Sequence, residues 1–129
     1  MPNAGDKFVT TLKRAHLEWG NFRHTRTRKI TYGEGYLQIP SIFAYNYNIT
    51  NNKTIVRSPE YDFSTSDNFI TNGKLLAAGN QYLPEYAKQF QGSGSLKLLG
   101  SWFSHINAQI GDQIEIRFIT ATELLLTPL

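Results

Sequence analysis

A cluster of basic side chains lies in residues 13–29 of the 129-residue chain. Six of these residues are Lys or Arg and one, Glu18, is acidic, so the segment carries six minus one, or +5. The remainder has seven Lys or Arg against nine Asp or Glu, or −2, so the whole-chain charge of +3 conceals a local basic segment. Guanidinium groups with Thr and His between them suit a polyanion, above all phosphate.

Arg26 and Arg28 are spaced for such a role. In an extended chain they point to one side, together with His24. Their guanidinium groups would be about 6–7 Å apart at a rise of roughly 3.3 Å per residue. This spacing suits successive phosphates or neighbouring guanines, whose O6 and N7 atoms Arg contacts bidentately. An exposed basic strand edge that deters aggregation is the structural alternative.

A second polar stretch runs from residue 79 to residue 95 and is rich in Gln and Asn. Side-chain amides of this type can read the N6 and N7 atoms of adenine, and Lys88 and Lys97 can hold phosphate. For the individual residues of this stretch, a solvated loop is the alternative interpretation. Tyr82 and Tyr86 either stack on bases or pack against the body of the domain.

The sequence has no phosphate-binding loop, nucleophile elbow or His-Glu metal motif. Glu60, Asp62 and Asp67, together with Lys74, loosely resemble a nuclease metal site, but such spacings arise often by chance. The three His residues lack metal-ligand spacing, and there is no Cys to supply a thiolate. We therefore predict a protein that is not an enzyme and that uses no metal or cofactor.

Composition predicts the class of fold that must position these side chains. Eight Phe, seven Tyr and two Trp, with many Thr and Ile, favour strands, and ten Gly and five Pro supply turns. No apolar run approaches the roughly 20 residues that span a bilayer, and no apolar signal segment is evident. We expect one soluble, cytoplasmic domain over residues 1–129: a mainly β, small, partly open barrel of six to eight short strands with two short helices.

Several strands and turns are predicted from local pattern. Gln113–Phe118 alternates cleanly, with Ile114, Ile116 and Phe118 directed inward. Further strands are predicted at Lys7–Leu12, Tyr36–Ile39, Thr54–Arg57, Lys74–Ala78, Leu96–Leu99 and Thr122–Thr127. The dipeptide Asn72-Gly73 indicates a hairpin turn after a strand at Phe69–Thr71, and Ser58–Asn68 is predicted to be a loop.

Two short helices are predicted, each with a serine as its N-cap. The first begins at Ser41, and its Phe43 and Tyr47 lie four residues apart on one side. The second covers Ser101–Asn107, where the apolar side includes Trp102, which we assign to the core.

Two fragments taken together resemble a known family. Residues 35–44 form a strand that ends in Ile39-Pro40 and leads into an aromatic helix. Residues 101–118 form a Trp-bearing helix, then Gly111-Asp112, then an alternating strand. Their order resembles the DNA-binding pseudobarrel family, which includes plant auxin-response-type transcription-factor domains and the effector or recognition domains of some restriction endonucleases. The resemblance spans residues 7–120.

The resemblance implies two arms that project from the barrel and clasp the DNA major groove. One precedes the Ile-Pro strand and here falls on Arg23–Tyr32; the other lies between central strands and falls on Asn80–Lys97. The chain departs from the plant pattern at Ser41, where a basic residue is usual, so individual base-reading positions are not carried over. The candidate DNA-binding residues are Arg23, His24, Arg26, Arg28, Lys29, Tyr32, Asn80, Gln81, Lys88, Gln89, Gln91 and Lys97.

Three functions remain open at this point. The first is a sequence-specific reader of double-stranded DNA in bacterial or phage restriction–modification or regulation, with a nuclease or methyltransferase as a candidate partner. The second is a β-barrel that binds single-stranded nucleic acid by stacking bases on aromatic side chains. The third is a phage structural protein or a carbohydrate-binding β protein.

Overall fold

The computed structural model describes residues 2–18, 33–51, 60–79 and 86–129. These ranges contain seven strands and three short helices. The strands are β1 (Lys7–Thr11), β2 (Tyr36–Gln38), β3 (Glu60–Thr65), β4 (Gly73–Ala78), β5 (Gln89–Gly92), β6 (Gln113–Thr120) and β7 (Glu123–Pro128). The helices are α1 (Arg14–Leu17), α2 (Ser41–Asn46) and α3 (Leu98–His105).

All seven strands belong to one sheet in the order β1-β6-β7-β3-β4-β5-β2. Neighbouring strands are antiparallel except β3 and β7, which are parallel. The sheet curves into a nearly closed barrel, which confirms the predicted fold class.

The open seam of the barrel lies between the edge strands β1 and β2, and α2 ties these two edges together. Phe8 of β1 stacks on Phe43 of α2 with ring centroids 5.3 Å apart. The Tyr47 hydroxyl, just beyond α2, donates a hydrogen bond to the Lys7 carbonyl at 3.0 Å. Because α2 follows β2 directly through Pro40, these contacts connect β2 to β1.

The core fills the interior of the barrel with side chains that alternate along each strand. Ile114, Ile116 and Phe118 of β6 are fully buried, which confirms the predicted inward side of that strand. Trp102 is also fully buried, as predicted. The other large, fully buried side chains include Tyr61, Phe63, Phe90, Leu37, Leu75 and Leu99.

The predicted loop at Ser58–Asn68 is wrong over Glu60–Thr65, which forms β3. Tyr61, Phe63 and Thr65 point into the core, while the intervening positions are polar and face outward. The outward Asp and Ser residues lower the apparent strand propensity, but one buried side is sufficient for a strand in a barrel.

The connection between β3 and β4 is longer than the predicted hairpin turn. β4 begins at Gly73 and pairs with β3, so the connection is 66–72 and not the dipeptide Asn72-Gly73 alone. The strand predicted at Phe69–Thr71 is wrong, because these residues belong to that connection. The strand predicted at Thr54–Arg57 lies outside the described residues.

The strand predicted at Leu96–Leu99 is also wrong, because α3 begins at Leu98. Leu98, Leu99 and Trp102 have three- and four-residue spacing and pack against the core as one side of a helix. Ser101 therefore lies inside the helix, where its hydroxyl donates to the Leu98 carbonyl at 2.7 Å. At the helix α2, Pro40 occupies the N-cap position and Ser41 is the first helical residue. Within the described ranges, no helix is long and apolar enough to cross a membrane.

Candidate nucleic-acid interface

The outward surface of β2 and β5 carries four polar side chains in a compact group. Tyr36 pairs with Gln91 and Gln38 pairs with Gln89 across the antiparallel ladder. The intervening residues Leu37 and Phe90 point into the core, so the four polar side chains share the opposite side of the sheet. All four are partly exposed. We refer to Tyr36, Gln38, Gln89 and Gln91 as the β2–β5 face.

Hydrogen bonds orient the amides of the β2–β5 face. Gln89 Nε2 donates to Gln91 Oε1 at 2.9 Å. Gln38 forms a hydrogen bond with the side chain of His16 in α1, whose ring also packs edge-on against Tyr36 with centroids 4.7 Å apart. Burial lowers the pKa of His16, because the charged imidazolium is poorly solvated there, so the ring is neutral at neutral pH.

One end of the β2–β5 face lies beside the described residues that flank positions 19–32. Leu17 and Gly33, on either side of that stretch, line the same cavity of about 330 Å³ together with Phe103. A Cβ atom on Gly35 would lie 3.0 Å from the His16 carbonyl oxygen, so the end of α1 is close to the start of β2. The described residues on both sides of positions 19–32 therefore lie at the Tyr36 end of the face.

The other end of the face lies beside Gly79 and Tyr86, the described residues that flank positions 80–85. The fully buried Asn51 side chain donates from Nδ2 to the Gly79 carbonyl at 2.6 Å and to the Tyr86 carbonyl at 3.4 Å. Ala78 pairs with Gln89, which in turn pairs with Gln38. Gly79 and Tyr86 therefore lie at the Gln38 end of the face, and the Asn51 amide holds them together.

The described residues that flank the first predicted arm and those that flank residues 80–85 of the second thus lie at opposite ends of the same polar surface. From Gly35 to Ile39 the extended chain covers about 13 Å. The major groove of B-DNA is about 12 Å wide. A duplex groove is therefore about as wide as the distance from Gly35 to Ile39, which lie just beyond the two ends of the face; the face itself covers about 7 Å from Tyr36 to Gln38.

A lysine stands at each of these ends. Lys88 lies against Gly79, where its Cβ is 2.9 Å from the position that a Cβ would take on the glycine. Lys97 lies beside Gly33, with its Cδ 4.0 Å from the corresponding position. Both lysine side chains are exposed, so two cationic groups flank the uncharged amides.

The predicted DNA-binding residues fall into two groups. Lys88, Gln89, Gln91 and Lys97 are described by the structure, but Gln89 and Gln91 lie on β5 rather than on an arm. Strand β5 forms here because the buried residues Phe90 and Gly92 alternate with the outward Gln89 and Gln91. The remaining predicted residues lie outside the described ranges: Arg23, His24, Arg26, Arg28, Lys29, Tyr32, Asn80 and Gln81.

Sequence reasoning did not select Gln38, His16 or Asn51. Gln38 had a detectable signal, since it lies between the apolar Leu37 and Ile39 and must face outward from a strand. His16 and Asn51 had none, because their partners are distant in the chain and only the tertiary fold brings them near.

The four residues that loosely resemble a nuclease metal site in the sequence lie in two separate places in the structure. Lys74 Nζ lies 3.3 Å from Asp62 Oδ1 and 3.7 Å from Glu60 Oε1 on the outward side of β3 and β4. Asp67 is separate from them and accepts a hydrogen bond from Trp102 Nε1. Among the described residues, no group of three His, Asp or Glu side chains is arranged to hold a metal ion.

No protein-family model and no curated protein matches this chain.

Proposed function

We propose that this protein is a double-stranded DNA-binding domain that lays its β2–β5 face along the major groove and grips the duplex with segments at both ends of that face. The observation that carries the proposal is the position of the described residues that flank the first predicted arm and residues 80–85 of the second. They lie at opposite ends of the β2–β5 face, about 13 Å apart along β2, which is close to the width of the groove.

The order of elements supports this proposal. The resemblance described above implies a strand, Ile-Pro, a helix, central strands, a Trp-bearing helix, Gly-Asp and a strand. The described chain has β2, Ile39-Pro40 and α2, followed by β3 to β5, α3 with Trp102, Gly111-Asp112 and β6. Shared order alone is evidence for a fold and not for a function.

The chemistry of the β2–β5 face favours a duplex over a single strand. Uncharged amides can hydrogen-bond to base edges, and lysines at the two ends can contact phosphates. Proteins that bind single strands present aromatic rings on which bases stack. The one aromatic ring on this face, Tyr36, is packed against His16. A sequence reader of this kind would serve restriction–modification or regulation in a bacterium or phage, with a nuclease or methyltransferase as partner.

The test is a mobility-shift titration with duplex and single-stranded DNA over a series of salt concentrations. We expect preferential binding to the duplex. The double variant R26A/R28A removes two basic groups of the first arm. We expect its salt slope to be shallower by about 1.8, because each phosphate that a side chain neutralises contributes roughly 0.9 to the slope.

The matched control removes two basic groups from elsewhere. Lys7 and Arg117 lie on the outward surface of β1 and β6, where both are paired with Glu115. We expect K7A/R117A to bind with nearly the affinity and slope of the unmodified protein. A folded R26A/R28A variant with unchanged affinity and slope would overturn the proposal, as would binding to single strands alone.

A further inference from the structure

The amide of Gln91 is held in one orientation. Its Oε1 atom accepts the hydrogen bond from Gln89 Nε2. Within the part of the chain that the structure describes, the Gln91 side chain has no other hydrogen bond. Its amide nitrogen therefore presents two N–H donors at the partly exposed surface of the β2–β5 face.

The amide of Gln38 is oriented in the same sense by His16. The Lys13 backbone N–H donates to Nδ1 of His16 at 3.2 Å. Since Nδ1 accepts, the neutral ring carries its proton on Nε2, so Nε2–H is the ring group that can donate in the hydrogen bond with Gln38. The Gln38 oxygen therefore accepts from His16, and the Gln38 amide nitrogen is the atom that can donate to a ligand.

From these contacts we infer that Gln38 and Gln91 are specificity-determining residues that read guanine in the major groove. Guanine presents two acceptors there, N7 and O6, whereas adenine presents one acceptor and the N6 donor. A glutamine that pairs bidentately with adenine turns both its oxygen and its nitrogen toward the base, but here each amide oxygen is turned toward a partner within the protein, which leaves the nitrogen donors for the bases. This inference rests on the proposed function, since it names the DNA sequence that the same surface takes.

The spacing of the two residues adds a constraint on the site. Gln38 pairs with Gln89, and Gln91 is two residues further along β5, so Gln38 and Gln91 are diagonal neighbours. The Cβ atoms of such a pair are about 7–8 Å apart. Bases along one strand are separated by about 3.4 Å. The geometry therefore suits two guanines with one base pair between them.

The experiment is selection of binding sites from a random duplex library, followed by affinity measurements on the selected site and its single-base variants. For the unmodified protein we expect two guanines at that spacing, each preferred over adenine by about 5- to 150-fold. We expect Q91A to lose the preference at one of the two positions and Q38A at the other.

Two further variants separate base reading from folding. Q89A keeps Gln91 but frees its oxygen, so the corresponding position is expected to accept adenine as well as guanine. Q91E replaces donors by acceptors, and its preference is expected to move to cytosine, whose N4 group is a donor. K88A is the control: it should weaken binding to all sites alike and leave the selected sequence unchanged.

The outcomes separate this inference from the proposed function. A protein that binds no duplex overturns both. Duplex binding without a selected sequence, or with adenine at the two positions, overturns the inference and leaves the proposed function standing. An unchanged site for folded Q91A and Q38A variants also overturns it.

Discussion

The indole Nε1 of Trp102 donates a hydrogen bond to Oδ2 of Asp67 at 3.0 Å and so joins α3 to the connection between β3 and β4. The other oxygen of Asp67 accepts from the Thr65 hydroxyl at 2.5 Å and from the Phe69 backbone N–H at 3.0 Å. The Thr65 bond is the largest of the effects that lower the pKa of Asp67. The Asp67 carboxylate therefore accepts a hydrogen bond from the only polar side-chain atom of Trp102, the largest core residue. It also holds the connection between β3 and β4 in place.

Replacing Asp67 by Ala is expected to lower the free energy of unfolding by about 1–3 kcal/mol, because the buried indole N–H loses its acceptor. The measurement is urea denaturation at neutral pH. D62A provides the control, since Asp62 is exposed and its pairing with Lys74 at the surface is worth about 1 kcal/mol or less. Equal losses in the two variants would contradict the role assigned to Asp67.

His16 is expected to make stability depend on pH. Burial, followed by the charge of Lys13, lowers its pKa below the ordinary value of 6.5, while the hydrogen bond to Gln38 acts in the opposite direction. Between the folded and unfolded pKa values the unfolded chain binds more protons, so stability rises with pH there. The contribution is present above pH 6.5 and is lost as the pH falls below that value.

The check is a comparison of urea midpoints at pH 7.5 and pH 5. We expect the unmodified protein to lose more stability on acidification than H16Q does. H105Q serves as the control, because His105 is exposed and stacks on Phe69 away from the β2–β5 face. An H16Q variant with the same loss on acidification as the unmodified protein would refute this assignment.

Replacing Asn51 by Ala is expected to reduce both stability and duplex affinity. Its amide bonds the carbonyls of Gly79 and Tyr86, and loss of the buried donor should cost about 1–3 kcal/mol. The fixed spacing between the two ends of residues 80–85 would be lost with it. N46A removes an exposed asparagine of α2 and is expected to be close to neutral. Thermal denaturation and the duplex titration measure the two effects, and an N51A variant as stable as N46A would exclude a holding role.

Gly100 permits the backbone of α3 to approach Gly33, and its replacement by Ala is expected to be destabilising. An added Cβ would lie 1.8 Å from the Gly33 carbonyl oxygen. In a helix without such a contact, the change from Gly to Ala stabilises by about 1 kcal/mol. Here displacement of the Gly33 backbone should outweigh that gain, with a net loss of about 1–3 kcal/mol. S104A, at an exposed position of the same helix, is the control for denaturation, and a stabilised G100A variant would disprove the close approach.

Local sequence patterns predicted the strands and helices in which apolar residues recur at regular spacing on one side. β6 was evident because Ile114, Ile116 and Phe118 alternate with polar residues, and α2 because Phe43 and Tyr47 are four residues apart. Composition was sufficient to predict the barrel, because the many aromatic and β-branched residues favour strands that bury one side. β3 was missed because its outward residues are polar, so the segment resembles a loop. The start of α3 was missed because a short run of leucines is compatible with either a strand or a helix, and only the neighbouring elements decide between them.

The sequence by itself determined a mainly β barrel and an inward Trp102, and it singled out two polar stretches as candidate DNA contacts. Only the tertiary structure decided that Gln38 pairs with Gln89, that His16 orients Gln38 and that Asn51 holds Gly79 and Tyr86 together. The members of each pair are far apart in the chain, and their contact depends on which strands become neighbours in the sheet. Strand pairing is chosen by the burial of the whole core, so no local window of sequence contains that information.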